Sequence, residues 1–225
     1  MKKVSLFICL LLTPTFAFAE DKAEEKKEST LVLNIRRIGI DWSKTDVRHS
    51  AEYADSPIQP LKASSQNYFK GVGDIALEYK HDRLTWNNSL YTEYGKTKLK
   101  PYNAPETSDE NSDKILLSSD LAYACWEANG FKFGPTARAQ YETEFTDNGG
   151  VPRQNVIRSN AGISLFDHKL IKSLYVTGVY EYDFTYSDEQ VSKLAAELGW
   201  RLEYQLREGV KFTTNGYYRE YLSYS

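Results

Sequence analysis

The stretch from Leu194 to Leu206 constrains the fold of this chain more than any other segment. Its even positions are apolar, and its odd positions are small or polar. A helix would need apolar residues three positions after each leucine, where Glu197, Arg201 and Gln205 stand. Strict alternation instead predicts a β-strand with one apolar and one polar face. Ordinary strands have about 5–6 residues, whereas a strand tilted across a bilayer needs about 9–11.

The same alternation recurs along most of the remaining chain. Near the C terminus, for example, Tyr182 stands between Glu181 and Asp183, while Arg36 and Arg37 interrupt the pattern near the other end. The predicted strands are Leu31–Trp42, Phe69–Lys80, Leu84–Gly95, Lys114–Trp126, Phe131–Phe145, Asn155–Phe166, Ile171–Tyr186, the segment 194–206 and a ninth strand that starts near Val210. We expect the ninth strand to continue through Asn215-Gly216, although this dipeptide is a hairpin signal.

The links between the predicted strands alternate in length. Short turns occupy 80–83, 129–130, 167–169 and 207–209, whereas longer polar links span 42–69, 96–113, 146–154 and 187–191. Long loops on one side and short turns on the other are typical of outer-membrane barrels. The sequence therefore predicts an all-β fold over residues 31–225, an antiparallel up-and-down transmembrane β-barrel of about 8–10 strands.

The N terminus has the features of a secretory signal peptide over residues 1–19. Two lysines follow Met1, an apolar run reaches about Leu12, and Ala17-Phe18-Ala19 supplies the small-x-small end. The apolar run is too short to cross a membrane as a helix. We expect cleavage after Ala19, a flexible charged leader over 20–30, and export to the outer membrane of a Gram-negative bacterium.

Aromatic side chains are spaced as in a membrane-interface girdle. Trp86 and Tyr94 lie on one face of their strand, as do Phe133 and Tyr141, and each pair is eight residues apart. Eight residues span roughly 26 Å along a strand, close to the apolar band of such barrels, about 25 Å tall. These four residues, together with Trp200, are the predicted interface aromatics.

Charged residues occupy the opposite, inward face of the predicted strands. Both signs occur, at Asp74, Glu78, Arg138, Glu142, Arg158, Glu181, Asp183, Glu197, Arg201 and Glu203. In a small barrel such charges either pair and fill the interior or line a narrow, porin-like conduit for small solutes. The sequence leaves both alternatives open.

Neither the composition nor the motifs point to an enzyme or to a nucleic-acid binder. The formal net charge of the chain is −3, which argues against a nucleic-acid partner. We find no metal-ligand spacing, phosphate loop or nucleotide fingerprint, and we expect no cofactor. An outer-membrane hydrolase is the remaining enzyme hypothesis. Its best candidate, His49 in the first long link, lacks a recognisable catalytic spacing, and His81 and His168 fall in short turns.

Two motifs resemble a family of uncharacterised bacterial outer-membrane β-barrel proteins. They are the strand Trp86–Gly95, with the pattern Trp-x-x-Ser-Leu-x-x-x-Tyr-Gly, and the Asp-Lys-hydrophobic segment Ser112–Ser119. The likeness extends from about Phe69 onward. It implies a membrane barrel with no assigned activity, whose partners are the lipid bilayer, lipopolysaccharide and the outer-membrane assembly machinery. Such barrels usually end on a terminal aromatic residue, whereas this chain ends on Ser225, so we expect it to be C-terminally truncated.

Overall fold

The computed structural model describes residues 29–128, 130–147 and 150–225, and the side chains of Gln59 and Pro60 are not described. The predicted signal peptide and residues 20–28 of the predicted leader lie outside these ranges. The first strand begins at Ser29, two residues before its predicted start at Leu31.

The described chain forms strands joined by short connections and two 3-10 turns. The strands are β1 (Ser29–Asp46), β2 (Ala63–His81), β3 (Leu84–Pro101), β4 (Thr107–Tyr123), β5 (Trp126–Ala128), β6 (Phe131–Thr143), β7 (Asn155–Phe166), β8 (Ile171–Asp183), β9 (Val191–Arg207) and β10 (Val210–Tyr224). The 3-10 turns are Ser50–Tyr53 and Gln59–Lys62, both between β1 and β2. No helix in the described ranges is long and apolar enough to cross a membrane.

All strands belong to one antiparallel sheet that follows chain order. The order is β1-β2-β3-β4-β6-β7-β8-β9-β10, and the short β5 pairs with β6. β5 continues the line of β4 after an irregularity, where the Cys125 N–H donates to the Phe133 carbonyl. Gly134 makes room for this irregularity, because a Cβ there would stand 1.9 Å from the Tyr123 carbonyl oxygen. Nine long strands, with β4 and β5 counted as one, therefore run up and down through the described residues.

The predicted strands are present, and the link lengths alternate as expected. Residues 47–62, 102–106, 144–154 and 184–190 connect strands at one end of the sheet, and 82–83, 129–130, 167–170 and 208–209 connect them at the other. We call these the long-loop end and the short-turn end. β10 runs without a turn through Asn215 and Gly216. The prediction of a long acidic link over 96–113 is wrong, since Leu99 pairs with Thr107 and the β3–β4 hairpin extends beyond the apolar band.

A β-bulge explains the broken alternation in β1. The pairing with β2 shifts between Ile35 and Arg37, which leaves Arg36 as an extra residue. A bulge offsets the side-chain period by one position. Before the bulge Leu33 and Ile35 share the face of Leu77 and Ile75, and after it the residues at 38, 40 and 42 share that same face. One inserted residue thus keeps the large apolar side chains of β1, with the exception of Val32, on one side.

The sheet is strongly curved and has its polar face on the inside. The Lys80 ammonium on β2 lies 3.7 Å from the Asp167 carboxylate, which follows β7. Four strand spacings separate these strands, roughly 19 Å in a flat sheet, so the short-turn end must be rolled. The sheet is not closed, because β1 pairs only with β2 and β10 only with β9 within the described ranges. One part of the membrane-barrel prediction is therefore confirmed, namely the up-and-down antiparallel β-sheet.

Candidate functional site: the concave polar face

A cluster of charges fills the concave face near the long-loop end. Its centre is Arg158 on β7, whose Nε lies 2.5 Å from Glu181 on β8 and whose other guanidinium nitrogen contacts Glu142 on β6. The register explains this, since Arg158 stands opposite Glu181 and beside Gln140, so one long side chain reaches carboxylates on both neighbouring strands. Glu181 is only 3% exposed. Buried carboxylates of this kind are stable only when paired.

The cluster continues onto the last two strands through Glu197 and Arg219. The Arg219 guanidinium lies 2.5 Å from the Glu197 carboxylate and 3.6 Å from Glu181. The Tyr175 hydroxyl donates to Glu197 at 2.9 Å, and Glu197 is 3% exposed. Arg219 stands directly opposite Glu197 in the β9–β10 pairing, so register again places the two charges together. Arginine suits this position because its fixed fork can serve two carboxylates at once.

Two lysines complete the cluster. Lys114 on β4 lies 2.7 Å from Glu142, and Lys193 on β9 lies 2.9 Å from Glu181. We define the charge cluster as Lys114, Glu142, Arg158, Glu181, Lys193, Glu197 and Arg219. It joins β4, β6, β7, β8, β9 and β10. Its four cations and three carboxylates form a continuous network of ion pairs in this half of the concave face.

A cavity occupies the other half of the concave face, towards the short-turn end. Its volume is about 570 Å³. Every long strand contributes to its wall, for example through Arg36, Glu78, Asn87, Asp120, Arg138, Ser164, Tyr175, Glu203 and Asn215. In a flat sheet the outermost strands would lie roughly 38 Å apart. Since both β1 and β10 border one small cavity, the nine strands curl round a common interior.

Paired charges also line the cavity, in smaller groups than the charge cluster. Arg138 contacts Asp120 and lies with its guanidinium carbon 5.2 Å from the centre of the Tyr175 ring. Glu203 accepts from Arg201 at 3.0 Å and from Lys211 at 2.8 Å. Hydroxyl and amide groups stand between these pairs, and Ala122, Phe166 and Trp200 supply apolar parts of the cavity wall.

A clamp crosses the short-turn end of the sheet. Asp167 lies in the turn after β7 and binds Lys132 at 3.1 Å as well as Lys80. Burial alone would raise the pKa of the Asp167 carboxyl, but the hydrogen bond from Lys132 and the charge of Lys80 hold its pKa below the usual range. The carboxylate therefore stays charged and links β2 to the opposite side of the sheet.

The structure places the ten predicted interior charges on the concave face, eight of them in the charge cluster or beside the cavity. Glu142, Arg158, Glu181 and Glu197 come together in the charge cluster. Glu78, Arg138, Arg201 and Glu203 border the cavity. Asp74 lies 3.6 Å from Arg36, and Asp183 accepts a hydrogen bond from the Thr185 N–H at the rim.

Several residues of the concave face were not found from sequence. Lys114, Lys193 and Arg219 are the missing cations of the cluster, and Asp120 is the missing partner of Arg138. Their signal was their position, because each stands on the polar side of its own alternating strand. The pairing itself depends on which residues face each other across strands, which a single strand does not reveal.

The convex face carries the apolar residues and the predicted interface aromatics. Tyr94 packs edge-on against Phe145 at 6.1 Å and Tyr141 stacks near Phe184 at 6.5 Å, towards the long-loop end. Phe133 packs against Trp126 at 5.7 Å towards the other end. Trp86, also near the short-turn end, donates to Ser119 at 2.9 Å. Trp200 is half-buried, lies over Gly216 and also borders the cavity.

The three histidines lie apart from the charge cluster. His49 has positive φ and precedes the first 3-10 turn in the long 47–62 connection. His81 ends β2 and contacts Ser29 at 2.8 Å, and His168 stacks on Phe131 at 3.8 Å in a turn. The expected loop position of His49 and turn position of His168 are confirmed, whereas His81 lies at the end of β2 and not in the turn.

Residues 62–148 match the model of a family described as protein of unknown function (DUF3078). The matched region spans β2 to β6, and both sequence motifs, 86–95 and 112–119, lie within it. The match ends at residue 148, so the expected likeness over β7 to β10 stays a prediction. Neither a curated protein nor a solved structure matches the chain.

Proposed function

We propose that this chain is an integral outer-membrane β-barrel protein with a structural, non-conducting role. The observation that carries the proposal is the inverted polarity of the sheet. On the convex face Val176 and Leu198 are 53% and 42% exposed, while Glu181 and Glu197 on the concave face are each 3% exposed. Water would favour the opposite arrangement. Hydrocarbon favours this one, since lipid solvates apolar side chains and a rolled sheet encloses the polar groups.

The aromatic side chains support the same proposal. Aromatic pairs flank an aliphatic band on the convex face, with Trp126 and Phe133 at one end and Tyr94 and Phe145 at the other. Trp and Tyr favour the two membrane–water interfaces, where ring and polar tip are both solvated. We place the long-loop end at the outer surface of the membrane. The connections 47–62 and 144–154 then face outward and can contact lipopolysaccharide. The bilayer, lipopolysaccharide and the assembly machinery are the partners we propose.

The charge cluster supports the non-conducting role. It links side chains from six strands across the concave face, and its three carboxylates each contact at least one cation. In a barrel of this size, side chains fill the interior. The competing function is a narrow channel for small solutes, and the cavity of about 570 Å³ favours it over half of the length. The cluster would close such a channel at its long-loop end.

Planar-bilayer recording separates the two functions. We expect the refolded chain to give no conductance steps. A variant with Glu142→Ser, Arg158→Ser and Glu181→Ser removes two carboxylates and the cation between them and should open stepwise conductance. The matched control Glu78→Ser changes a charge beside the cavity and should stay silent. Steps from the unmodified chain would replace the structural role by the channel.

Flotation tests the membrane location itself. The chain expressed in a Gram-negative host should float with outer-membrane vesicles in a density gradient and stay bound after alkaline carbonate extraction. A compact monomer that remains dissolved in plain buffer would contradict the whole proposal.

A further inference from the structure

The cavity near the short-turn end has features of a binding site that the proposed function does not use. Its volume of about 570 Å³ lies within the range of roughly 300–1,000 Å³ that is typical of small-molecule pockets. The rolled sheet itself forms the cavity, whether or not lipid covers the convex face. The chemistry of its wall therefore indicates what kind of molecule it can hold.

The carboxylates of the cavity wall already have cationic partners. Glu78 and Asp120 each contact one cation. Asp167 and Glu203 each contact two. Among the described residues of the wall, a cationic solute would therefore find only carboxylates that are already neutralised.

Lys172 is a cation of the wall without a carboxylate partner. The pairing of β8 with β9 shifts between Ile171 and Ser173, so Lys172 is the extra residue of a bulge. Its half-buried side chain borders the cavity. In the part of the chain that the structure describes, this side chain makes neither an ion pair nor a hydrogen bond. Its ammonium group is thus available to a ligand.

Three further donors stand in a row beside Lys172. The register places Ser173 on β8 opposite Arg201 on β9, and Arg201 opposite Asn215 on β10. All three border the cavity, and the side chains of Ser173 and Asn215 have no hydrogen-bond partner among the described residues. Arg201 shares its carboxylate, Glu203, with a second cation and is 54% exposed, so a solute can reach it.

An oxyanion matches this side of the cavity. Ammonium and guanidinium groups form strong, charge-assisted hydrogen bonds with phosphate and carboxylate oxygens. The Phe166 ring stands opposite Ser173 in the β7–β8 pairing, and the Tyr175 ring also borders the cavity. The body of an organic molecule can therefore pack against these rings beside its anionic group.

We propose that the cavity binds a small, soluble organic anion through a phosphate or carboxylate group. The anionic group contacts the side chains of Lys172, Ser173, Arg201 and Asn215, and the body of the molecule occupies the rest of the cavity. The charge cluster occupies the other half of the concave face, so the molecule is held and does not pass through. This binding goes beyond the proposed structural role and does not depend on it.

Calorimetric titration of the full chain tests the charge of the ligand. The chain is refolded in a nonionic detergent, because lipid phosphates would compete. Glucose 6-phosphate or gluconate should bind saturably at a single site, about tenfold more tightly than neutral glucose. Cationic choline should bind no better than glucose. Failure of both anions to bind would overturn the proposal, as would tighter binding of choline.

A pair of lysine variants tests the position of the site. Lys172→Gln breaks no ion pair and should weaken binding of the anion roughly tenfold. Lys169→Gln is the matched control, since Lys169 is exposed in the preceding turn and does not border the cavity. It should change the affinity less than about twofold. Equal losses would show general attraction to positive charge and would overturn the site.

A further variant keeps this test independent of folding. Asn215→Ala removes a second donor of the row without a change in charge and should weaken binding roughly threefold. Circular dichroism melting of all three variants shows whether each is folded. Unchanged affinity in folded Lys172→Gln and Asn215→Ala variants would remove the proposed contacts.

A lipid headgroup carries the same phosphate chemistry, and competition separates the two sources. Monomeric dihexanoyl phosphatidylglycerol should displace the bound anion less effectively than glucose 6-phosphate does. More effective displacement by the lipid would overturn the assignment to a soluble molecule. Flotation remains a separate test, because failure to float contradicts the membrane proposal and leaves the cavity and its ligand unaffected.

Discussion

The two halves of the concave face use charge in different ways. Near the long-loop end, Glu181 and Glu197 are almost fully buried and each contacts several donors. Near the short-turn end, Glu78 and Glu203 also have cationic partners, but they border an open cavity of about 570 Å³. The same residue types thus form a buried network of ion pairs in one half and the wall of a cavity in the other. The two halves differ because the ion pairs near the long-loop end are more deeply buried and link more strands.

Neutralising one carboxylate in each half should show the largest contrast. Glu181→Gln leaves Arg158, Lys193 and Arg219 without their shared charge in a buried site. Breaking a buried pair in this way costs about 3–5 kcal/mol. Glu78→Gln at the cavity should cost less than about 1 kcal/mol. Urea unfolding in lipid vesicles, followed by tryptophan fluorescence, measures both, and equal losses would show that the two halves are equally solvated.

The convex face should show a contrast that depends on depth. Leu198 lies in the middle of its strand, between Val176 and Tyr218, while Leu206 lies near the end of β9. An Arg at the bilayer midplane costs about 2–4 kcal/mol and one near the interface about 0–1. Leu198→Arg should therefore destabilise the chain in vesicles far more than Leu206→Arg. Similar effects of both substitutions would contradict the proposed membrane face.

Two glycines, Gly162 on β7 and Gly178 on β8, test how closely the backbones of these two strands pack against each other. A Cβ at Gly162 would stand 2.1 Å from the Val176 carbonyl oxygen, whereas one at Gly178 would meet its nearest atom at 3.9 Å. Gly162→Ala should cost about 1–3 kcal/mol through backbone displacement. Gly178→Ala is the matched control and should be close to neutral. Equal unfolding midpoints would show that the β7–β8 backbone adjusts freely.

Much of the fold could be predicted because each strand carries its own polarity pattern. β7 runs from Asn155 to Phe166, as alternation alone predicted. Prediction failed where the alternation stops. Residues 96–101 and 107–113 are mostly polar, with Leu99 as an exception, and they still pair as parts of β3 and β4. The Arg36 bulge was visible only as a break in alternation, because one strand does not show its partner's register.

The candidate site was predictable only as a set of inward charges. Strand alternation indicated that Glu181 and Arg158 face inward. Which cation reaches which carboxylate depends on cross-strand register and on curvature, as in the contact between Arg219 and Glu181 two strands away. The division into a charge cluster and a cavity likewise follows from packing between distant strands. Neither the cross-strand register nor the curvature of the sheet can be predicted from the sequence of a single strand.

Removing the Asp167 clamp should have the smallest effect on stability. The lowered pKa of the Asp167 carboxyl determines how this effect changes with pH. A group with a depressed pKa in the folded state stabilises the fold above its ordinary pKa of about 3.9 and loses that contribution as pH falls through the lowered value. Asp167→Asn keeps the positive φ of this turn, because Asn also tolerates it. The variant should lose less than about 1 kcal/mol at neutral pH and nothing further in acid. The difference in unfolding free energy between the two proteins should therefore shrink below pH 4, and a difference that grew in acid would mean that the clamp is not ionic.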